Sequence, residues 1–451
     1  MFNFIPLLLY GLCFSCSIVY GLSFHPLALA LLIALFLCDP KRLALTLLVS
    51  VGGFVVGYTS QSMPPPDKGP YSFTLQRIKE SHKSHLLIGT VNPYNYRAIV
   101  KVKDLPDDIS DELWIEGELT PFGIKAKSIV NVNDSNLAAT RFELKKTVRN
   151  WINEHYPHKK AADLIGALIT GDLDNRPLKK DFARFGLQHI LAISGFHFSF
   201  LAMSLAFVLQ RFFSFRTLPY LLIIILASYF LFLGPSSSIV RAWIAIAMTC
   251  TAQLIRRSSN PLNHLGLALI VVGVWDPQAL LEAGTALSFG LTAAILLFAK
   301  PCDDWFKKWL YPRSYDSLIS LNFFQQSGAI ILQFIRKSLS LNAAVTFIGA
   351  PLTLAFFQTF PVFSLFFNLF FPTLIALSLF LFLFTWIPGV SYINSLYLDS
   401  ILNLIHEPPD FLNINLATDN FKIEYAVIIC SVAMLWGLYN KKNNIYNSFS
   451  I

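Results

Sequence analysis

The chain has 451 residues, of which 54% are hydrophobic, 14% are aromatic and only 14% are charged. Soluble domains carry about 25% charged residues, so this composition excludes an ordinary soluble globular protein. It equally excludes a disordered chain, which needs low hydrophobicity and high charge. The composition predicts a polytopic α-helical membrane protein with an inserted polar segment. The net charge of +8 fits basic cytoplasmic loops at least as well as nucleic-acid binding.

Apolar runs near 2–20, 26–38 and 43–59 predict N-terminal transmembrane helices over residues 1–59. Lys41 and Arg42 lie between the second and third runs, and basic loops stay in the cytoplasm. The third span would therefore deliver the following segment to the outer face of the membrane.

More than half of the charged residues fall within residues 60–185, which makes this segment the only candidate for a water-exposed domain. Within 60–135, alternating apolar and polar residues between turn signals predict four short strands, at 85–91, 96–103, 112–119 and 124–132. Four or five short strands that close on themselves indicate a small β-barrel outside the cytoplasm. An oligonucleotide- or oligosaccharide-binding (OB) barrel is one option.

Residues 136–185 change to a helical period, with an apolar face and a basic face. Phe142, Val148, Trp151 and Ile152 share the apolar face, and lysines and arginines cover the other. Such amphipathic helices lie readily in the membrane interface, and a phosphate backbone is the other partner that a basic face fits.

Residues 186–451 predict a multi-span membrane domain. Apolar runs lie near 187–210, 217–234, 237–255, 262–275, 283–299, 342–360, 362–386 and 424–440. Basic residues fall on alternate connections up to residue 313, which assigns those connections to the cytoplasm. In the last third, the number of spans does not bring Lys441 and Lys442 to the cytoplasm, so the topology there is left open.

Polar residues interrupt the apolar segment that follows Gly186. His189, Ser194, Gly195 and His197 lie there, and polar groups in membrane helices usually face a bundle interior or a water-filled path. Three interpretations follow: hydrogen bonding within the bundle, the lining of a conduit, or hydrolysis by Ser194 as nucleophile with His197 as base. The last lacks an adjacent carboxylate to complete a triad.

The same segment resembles the ComEC competence-protein family. The matching motif comprises Gly171-Asp172, Phe182, Gly186-Leu187, His189 and Ser194-Gly195-x-His197. Three further resemblances are 235–242, which contains Arg241, then Asp276-Pro277 followed by Ser288, and Asn368 with Pro372. Together these motifs cover roughly residues 160–385.

The resemblance implies an inner-membrane channel component that takes up single-stranded DNA during natural transformation. It implies a multi-pass protein of the bacterial inner membrane, with residues 60–185 outside the cytoplasm and corresponding in part to the family's OB-like domain. Its partners would be single-stranded DNA, a DNA receptor, cytoplasmic motor or nuclease proteins, and the lipid bilayer. A homo-oligomer is compatible with the resemblance. The family-motif residues are Gly171, Asp172, His189, Ser194, Gly195, His197, Arg241, Ser288 and Asn368.

Many members of this family continue into a metallo-β-lactamase-like domain, and no metal-binding His-x-His-x-Asp-His run occurs here. The chain is therefore expected to be a shortened member that lacks this domain. No P-loop is found either, so we expect neither a cofactor nor an enzymatic activity. The alternatives are a transporter of a smaller solute on the same scaffold, and the Ser194/His197 hydrolase.

Two further residues have competing interpretations. Arg241 is either an interfacial arginine that reaches the headgroups or a cation that faces a polyanion in a conduit. Ser288 and Asn368 suit helix–helix hydrogen bonding better than contact with a substrate. Asp172, a carboxylate, would repel phosphates and suits a helix-cap or interface position.

Overall fold

A computed structural model describes residues 5–81, 84–106, 109–121, 123–133, 135–173, 175–191, 195–234, 236–311, 313, 322–406, 415–418 and 420–449. The helices are α1 Pro6–Ser23, α2 Pro26–Cys38, α3 Leu43–Thr59, α4 Leu137–His155, α5 Lys159–Thr170, α6 Arg176–Arg184, α7 Gln188–Leu191, α8 Gly195–Leu209, α9 Leu218–Leu233, α10 Ser237–Leu254, α11 Pro261–Trp275, α12 Ala283–Phe306, α13 Phe323–Phe357, α14 Ser364–Phe382, α15 Val390–His406 and α16 Ile423–Phe449. The strands are β1 Lys68–Ser81, β2 Ser84–Asn92, β3 Tyr96–Val102, β4 Glu112–Thr120, β5 Gly123–Asn131, β6 Thr359–Pro361 and β7 Asn415–Ala417.

Strands β1 to β5 form a closed barrel in the order β1-β2-β3-β5-β4. The four predicted strands are confirmed as β2 to β5, and the fold is a helical membrane protein with an OB-like barrel. Strand β1 was not among the predicted strands and is the longest of the five. Its outward positions are polar and its register shifts between Leu75 and Arg77, which breaks the alternation that the sequence would otherwise display.

The barrel is joined directly to the helix that follows it. The Asp111 carboxylate accepts hydrogen bonds from the backbone N–H groups of Leu137 and Ala138, both at 2.9 Å, and so caps the start of α4. Phe142 packs into the barrel core, whereas Ile152 is buried in a second core together with α5. The predicted apolar face of α4 therefore contacts protein at both ends, and its placement in a membrane interface stays a prediction.

Six helices are long and apolar enough to cross a membrane, among those that the structure describes. They are Pro6–Ser23, Pro40–Thr59, Ala283–Phe306, Phe323–Phe357, Ser364–Phe382 and Ile423–Lys441. Four shorter apolar helices, which include α8, α9 and α11, coincide with further predicted spans, and the predicted span at 237–255 coincides with α10. The chain is thus a multi-pass membrane protein, and most predicted spans coincide with a helix to within a few residues.

Five helices of the membrane domain form a closed ring. In the order α8, α10, α12, α13, α14 and back to α8, each packs against the next. Among the described residues, no extensive packing joins helices across the ring. The buried apolar residues also fall into separate clusters, one around α10 to α13, one around α14 and α15 and one around α8 to α10. The centre of the ring is therefore not the protein's hydrophobic core.

Helix α15 is an additional helix in the last third of the chain. It was not predicted, because Ser391, Asn394, Ser395 and Asp399 interrupt its apolar pattern. Asn394 is nevertheless fully buried, and its amide bonds Tyr156 Oη at 2.9 Å and the Ser378 carbonyl at 3.1 Å. With this helix added, α16 ends beside the end of α12 that lies away from the barrel.

The end of α16 is tied to that location by one hydrogen bond. Lys441 Nζ donates to the Leu296 carbonyl at 3.2 Å, near the basic end of α12. Lys441 therefore contacts the half of α12 that is remote from the barrel.

Candidate functional site

Three of the predicted site residues meet in one layer at the end of the ring nearest the barrel. Helices α8, α10 and α12 begin on the barrel side, and Gly195, Arg241 and Ser288 are the first, fifth and sixth residues of these three helices. At a rise of 1.5 Å per residue, all lie within about 9 Å of the helix starts. The structure therefore brings together residues up to 93 positions apart in sequence.

Arg241 links three helices of this layer. Its Nε donates to Ser288 Oγ of α12 at 3.0 Å, and the same Ser288 oxygen is 3.0 Å from Ser238 Oγ. Its guanidinium also lies against Gly195 of α8, where an added Cβ would be 2.4 Å from Nη2. Because α8 and α12 flank α10 in the ring, a side chain from α10 that reaches both lies on the inner side.

The charge of Arg241 is not neutralised by a carboxylate. Within the part of the chain that the structure describes, only the Ser288 hydroxyl accepts a hydrogen bond from it, and no acidic group lies within 4 Å. A partly buried guanidinium paired only with a hydroxyl retains most of its capacity to bind an anion. This arrangement favours the polyanion interpretation of Arg241 over the headgroup interpretation.

The other motif residues occupy varied positions. His197 is buried, with 4% of its surface exposed, two residues into α8 from Gly195. The Asn368 Oδ1 atom is buried and has no hydrogen-bond partner among the described residues. Ser194 lies outside the described residues, so the Ser194–His197 arrangement is not tested, and His189 is placed only by its backbone, in α7.

Gly171 and Asp172 lie apart from this layer, in contact with the barrel. Gly171 ends α5 with φ +76, a conformation that favours glycine. Asp172 is 6% exposed and forms ion pairs with Arg77 of β1 and with Lys145 of α4, the latter at 3.1 Å. Arg77 also donates to the Gly171 carbonyl at 3.1 Å. The carboxylate of the motif is therefore engaged in ion pairs within the protein, at the contact between the barrel, α4 and the end of α5.

The two cations of this cluster share a single carboxylate as their counter-ion. Burial by itself raises the pKa of Asp172, but the charges of Arg77 and Lys145 and their hydrogen bonds outweigh it, and the pKa lies below its usual value. Burial lowers the pKa of Lys145 to about 8, and repulsion from Arg77 adds to this against the attraction of Asp172.

A second set of contacts attaches the barrel beside α12. Arg97 of β3 pairs with Asp276 and with Glu282, the residue that precedes α12. Gln278 Nε2 donates to the carbonyls of Asn95, at 2.6 Å, and Ser60, at 3.2 Å. The outer face of strands β1 to β3 is thus held over the ring by arginines at two places.

Sequence reasoning did not identify Arg77, Arg97 or Lys145 as site residues. Each is one of many cations in a mixed-charge segment, and its partner lies between 27 and 185 residues away. No group of three or more metal-ligating side chains occurs among the described residues. A polar cleft of about 210 Å³ beside the cluster is lined by cations and carboxylates alike, including Lys146, Glu80 and Asp163, and so shows no preference for one charge.

Comparisons with known proteins identify the family of this chain. A family model described as "Competence protein" matches residues 168–443. ComE operon protein 3 from Bacillus subtilis is 26% identical over 175 residues, which cover 38% of this chain and 22% of that protein. The similar segment therefore spans about a fifth of the length of that relative. No solved structure matches the chain significantly.

Proposed function

Because this chain belongs to the competence-protein family, we propose that it is the inner-membrane conduit component through which single-stranded DNA enters the cytoplasm during natural transformation. The proposal also places the protein in a bacterial inner membrane, with the barrel outside the cytoplasm. Basic residues at the ends of α8, α10 and α12 remote from the barrel support this orientation.

One observation carries the proposal: the ring of five helices has an arginine on its inner side that pairs with no carboxylate among the residues that the structure describes. A conduit for DNA has to offset the charge of the phosphates, and a guanidinium binds phosphate through two parallel hydrogen bonds. Arg241 lies at the barrel-side mouth, where an incoming strand would first meet the membrane domain.

The dimensions of the ring set a condition on transport. Packed helices have axes 8–10 Å apart, so the centre of a five-membered ring is about 7–8 Å from each axis. A helix with its side chains has a radius of about 5–6 Å. A strand therefore passes only where the central side chains are small, as Gly195, Ser238 and Ser288 are, or where the ring widens.

This chain would not itself supply the energy for transport. A receptor outside would present the strand and a cytoplasmic motor would pull it. No specific observation favours the smaller-solute transporter or the Ser194/His197 hydrolase over this proposal.

The test is uptake of fluorescently labelled DNA into the cytoplasm of a strain that lacks the gene, complemented with variants. Arg241→Gln should reduce uptake by at least about tenfold, since hydrogen bonds to charged groups contribute about 1.5–3 kcal/mol. Arg241→Lys should retain part of the activity. Arg257→Gln is the matched control, because Arg257 is exposed at the opposite end of α10.

All variants must reach wild-type levels in the membrane, and DNA binding at the cell surface must persist. Uptake that is unchanged by deletion of the gene would refute the conduit and favour transport of a different solute. Loss of uptake in Ser194→Ala, with Arg241→Gln unaffected, would favour the hydrolase.

A further inference from the structure

The cluster of Arg77, Lys145 and Asp172 also contacts the turn that begins α10. Lys145 Nζ donates to the Leu233 carbonyl at 3.0 Å, in addition to its ion pair with Asp172. Leu233 is the last residue of α9, and Gly234 follows it with φ +88. The lysine thus connects the Gly-Asp motif to the α9–α10 turn.

A second cation of α4 binds the same helix end. Arg141 precedes Lys145 by one helical turn, so both side chains project from one face of α4. Arg141 Nε donates to the Leu231 carbonyl at 2.9 Å, and its guanidinium lies within 3.3 Å of the position that a Cβ would occupy at Gly234. Carbonyls in the last turn of a helix lack intrahelical partners and carry partial negative charge, which cations satisfy.

The turn held in this way leads directly to the proposed conduit. Helix α10 begins at Ser237, three residues after Gly234, and Arg241 lies in its second turn. A series of contacts therefore runs from barrel strand β1 through Arg77, Asp172 and Lys145 to Leu233, four residues before the helix that carries Arg241 begins. Its central members are buried, with 3% of Lys145 and 6% of Asp172 exposed, so water screens them little.

We infer that Asp172 and Lys145 are positioning residues for the conduit, which fix the α9–α10 turn, and with it Arg241, against the barrel. The Gly-Asp motif then serves transport without contacting DNA. Gly171 provides the left-handed turn that points its carbonyl and the Asp172 carboxylate at Arg77. This inference rests on the proposed function, since it assumes that Arg241 acts in uptake.

The test compares two ways of loosening the barrel. Lys145→Met removes the bonds to Asp172 and to Leu233 while keeping the length of the side chain. Arg97→Gln breaks the other attachment of the barrel, where the arginine side chain is 32% exposed, and leaves the α9–α10 turn untouched. If positioning of the turn is what matters, Lys145→Met should reduce DNA uptake roughly tenfold and Arg97→Gln by less than about threefold.

Conservative variants and a tether distinguish positioning from DNA contact. Lys145→Arg, which keeps the charge and the donors, should restore uptake to within about threefold of wild type. In a cysteine-free background that carries Lys145→Met, a short bis-maleimide joining Gln76→Cys to Leu231→Cys should also restore uptake. Arg141 bridges these two positions, with bonds to both their carbonyls.

The outcomes separate this inference from the proposed function. Wild-type uptake in Lys145→Met, together with loss in Arg241→Gln, would overturn the positioning role and leave the conduit intact. Equal losses in Lys145→Met and Arg97→Gln would also overturn it, since any loosening of the barrel would then suffice. Wild-type uptake in Arg241→Gln would instead contradict the conduit.

Discussion

Asp303 of α12 and Arg336 of α13 form an ion pair at the end of the bundle remote from the barrel, with 3.1 Å between Oδ1 and Nε. Arg336 is 3% exposed and also donates from Nη1 to the Leu310 carbonyl. Asp303 has a second cation, Lys307, at 3.1 Å. Loss of the pair would therefore leave Arg336 without a counter-ion, whereas Asp303 would keep Lys307.

This asymmetry predicts unequal effects of substitution. Asp303→Asn leaves a buried guanidinium without its counter-ion and should cost about 3 kcal/mol. Arg336→Met should cost less, because Asp303 keeps Lys307. Thermal unfolding of the purified protein in detergent checks this order, and an Asp303→Asn variant as stable as Arg336→Met would contradict it.

A second prediction concerns the contact between α1 and α11. An added Cβ at Gly266 would lie 2.1 Å from the Leu7 carbonyl oxygen, and backbone cannot move aside as a side chain can. Gly266→Ala should therefore separate the two helices and destabilise the protein by about 1–3 kcal/mol or more. The control is Gly52→Ala in α3, where nothing lies within 4 Å. The melting temperature of Gly52→Ala should match or exceed that of wild type.

The buried Lys145 predicts a dependence of stability on pH. Its pKa is about 8 in the folded protein against 10.5 for the free group. Between these values the unfolded chain binds one more proton than the folded protein, so this group makes the free energy of unfolding rise with pH over that window. Below pH 8 Lys145 is protonated in both the folded and the unfolded state, so its contribution to the free energy of unfolding is constant there. That contribution is unfavourable to folding, because the charged ammonium is buried.

The measurement is the melting temperature of wild type and Lys145→Met from pH 7 to pH 10. The difference between them should shift in favour of wild type above pH 8. Arg77, Asp172 and Arg141 face Lys145, and the lowered pKa of Asp172 keeps its carboxylate ionised throughout that range. A difference that is constant over the whole range would contradict the prediction.

The orientation in the membrane gives a fourth prediction. In a variant without native cysteines, Glu112→Cys on the exposed barrel surface should react with an impermeant maleimide in intact spheroplasts. Lys308→Cys, at the opposite end of α12, should react only after permeabilisation. Both positions are exposed, so accessibility to the reagent depends on the side of the membrane, and the reverse labelling pattern would invert the proposed topology.

Much of the fold could be predicted from local sequence patterns. Apolar runs located nearly all the helices, and alternation located strands β2 to β5. Strand β1 was not predicted, because its outward side chains are polar and Gln76 forms a bulge. Helix α15 escaped because its buried Asn394 resembles a surface residue until its partners, Tyr156 and Ser378, are known.

The candidate site could be predicted only as separate residues. The polar interruption of an apolar segment pointed to Gly195, and family resemblance added Arg241, Ser288 and Asp172. Their grouping depends on tertiary contacts: Arg241 meets Ser288 across 47 residues, and Arg77 meets Asp172 across 95. Nothing in the local sequence distinguishes Arg77 or Lys145 from the neighbouring cations, because only their ion pairs with the distant Asp172 set them apart.

The order of the ring helices along the chain affects how the protein is made. The ring closes through contact between α8 and α14, and α14 is complete only at Phe382. A nascent chain that has inserted α8, α10 and α12 therefore has no enclosed path, and its polar residues face an open groove. A conduit through the ring, as proposed above, would therefore be enclosed only once α14 has been added.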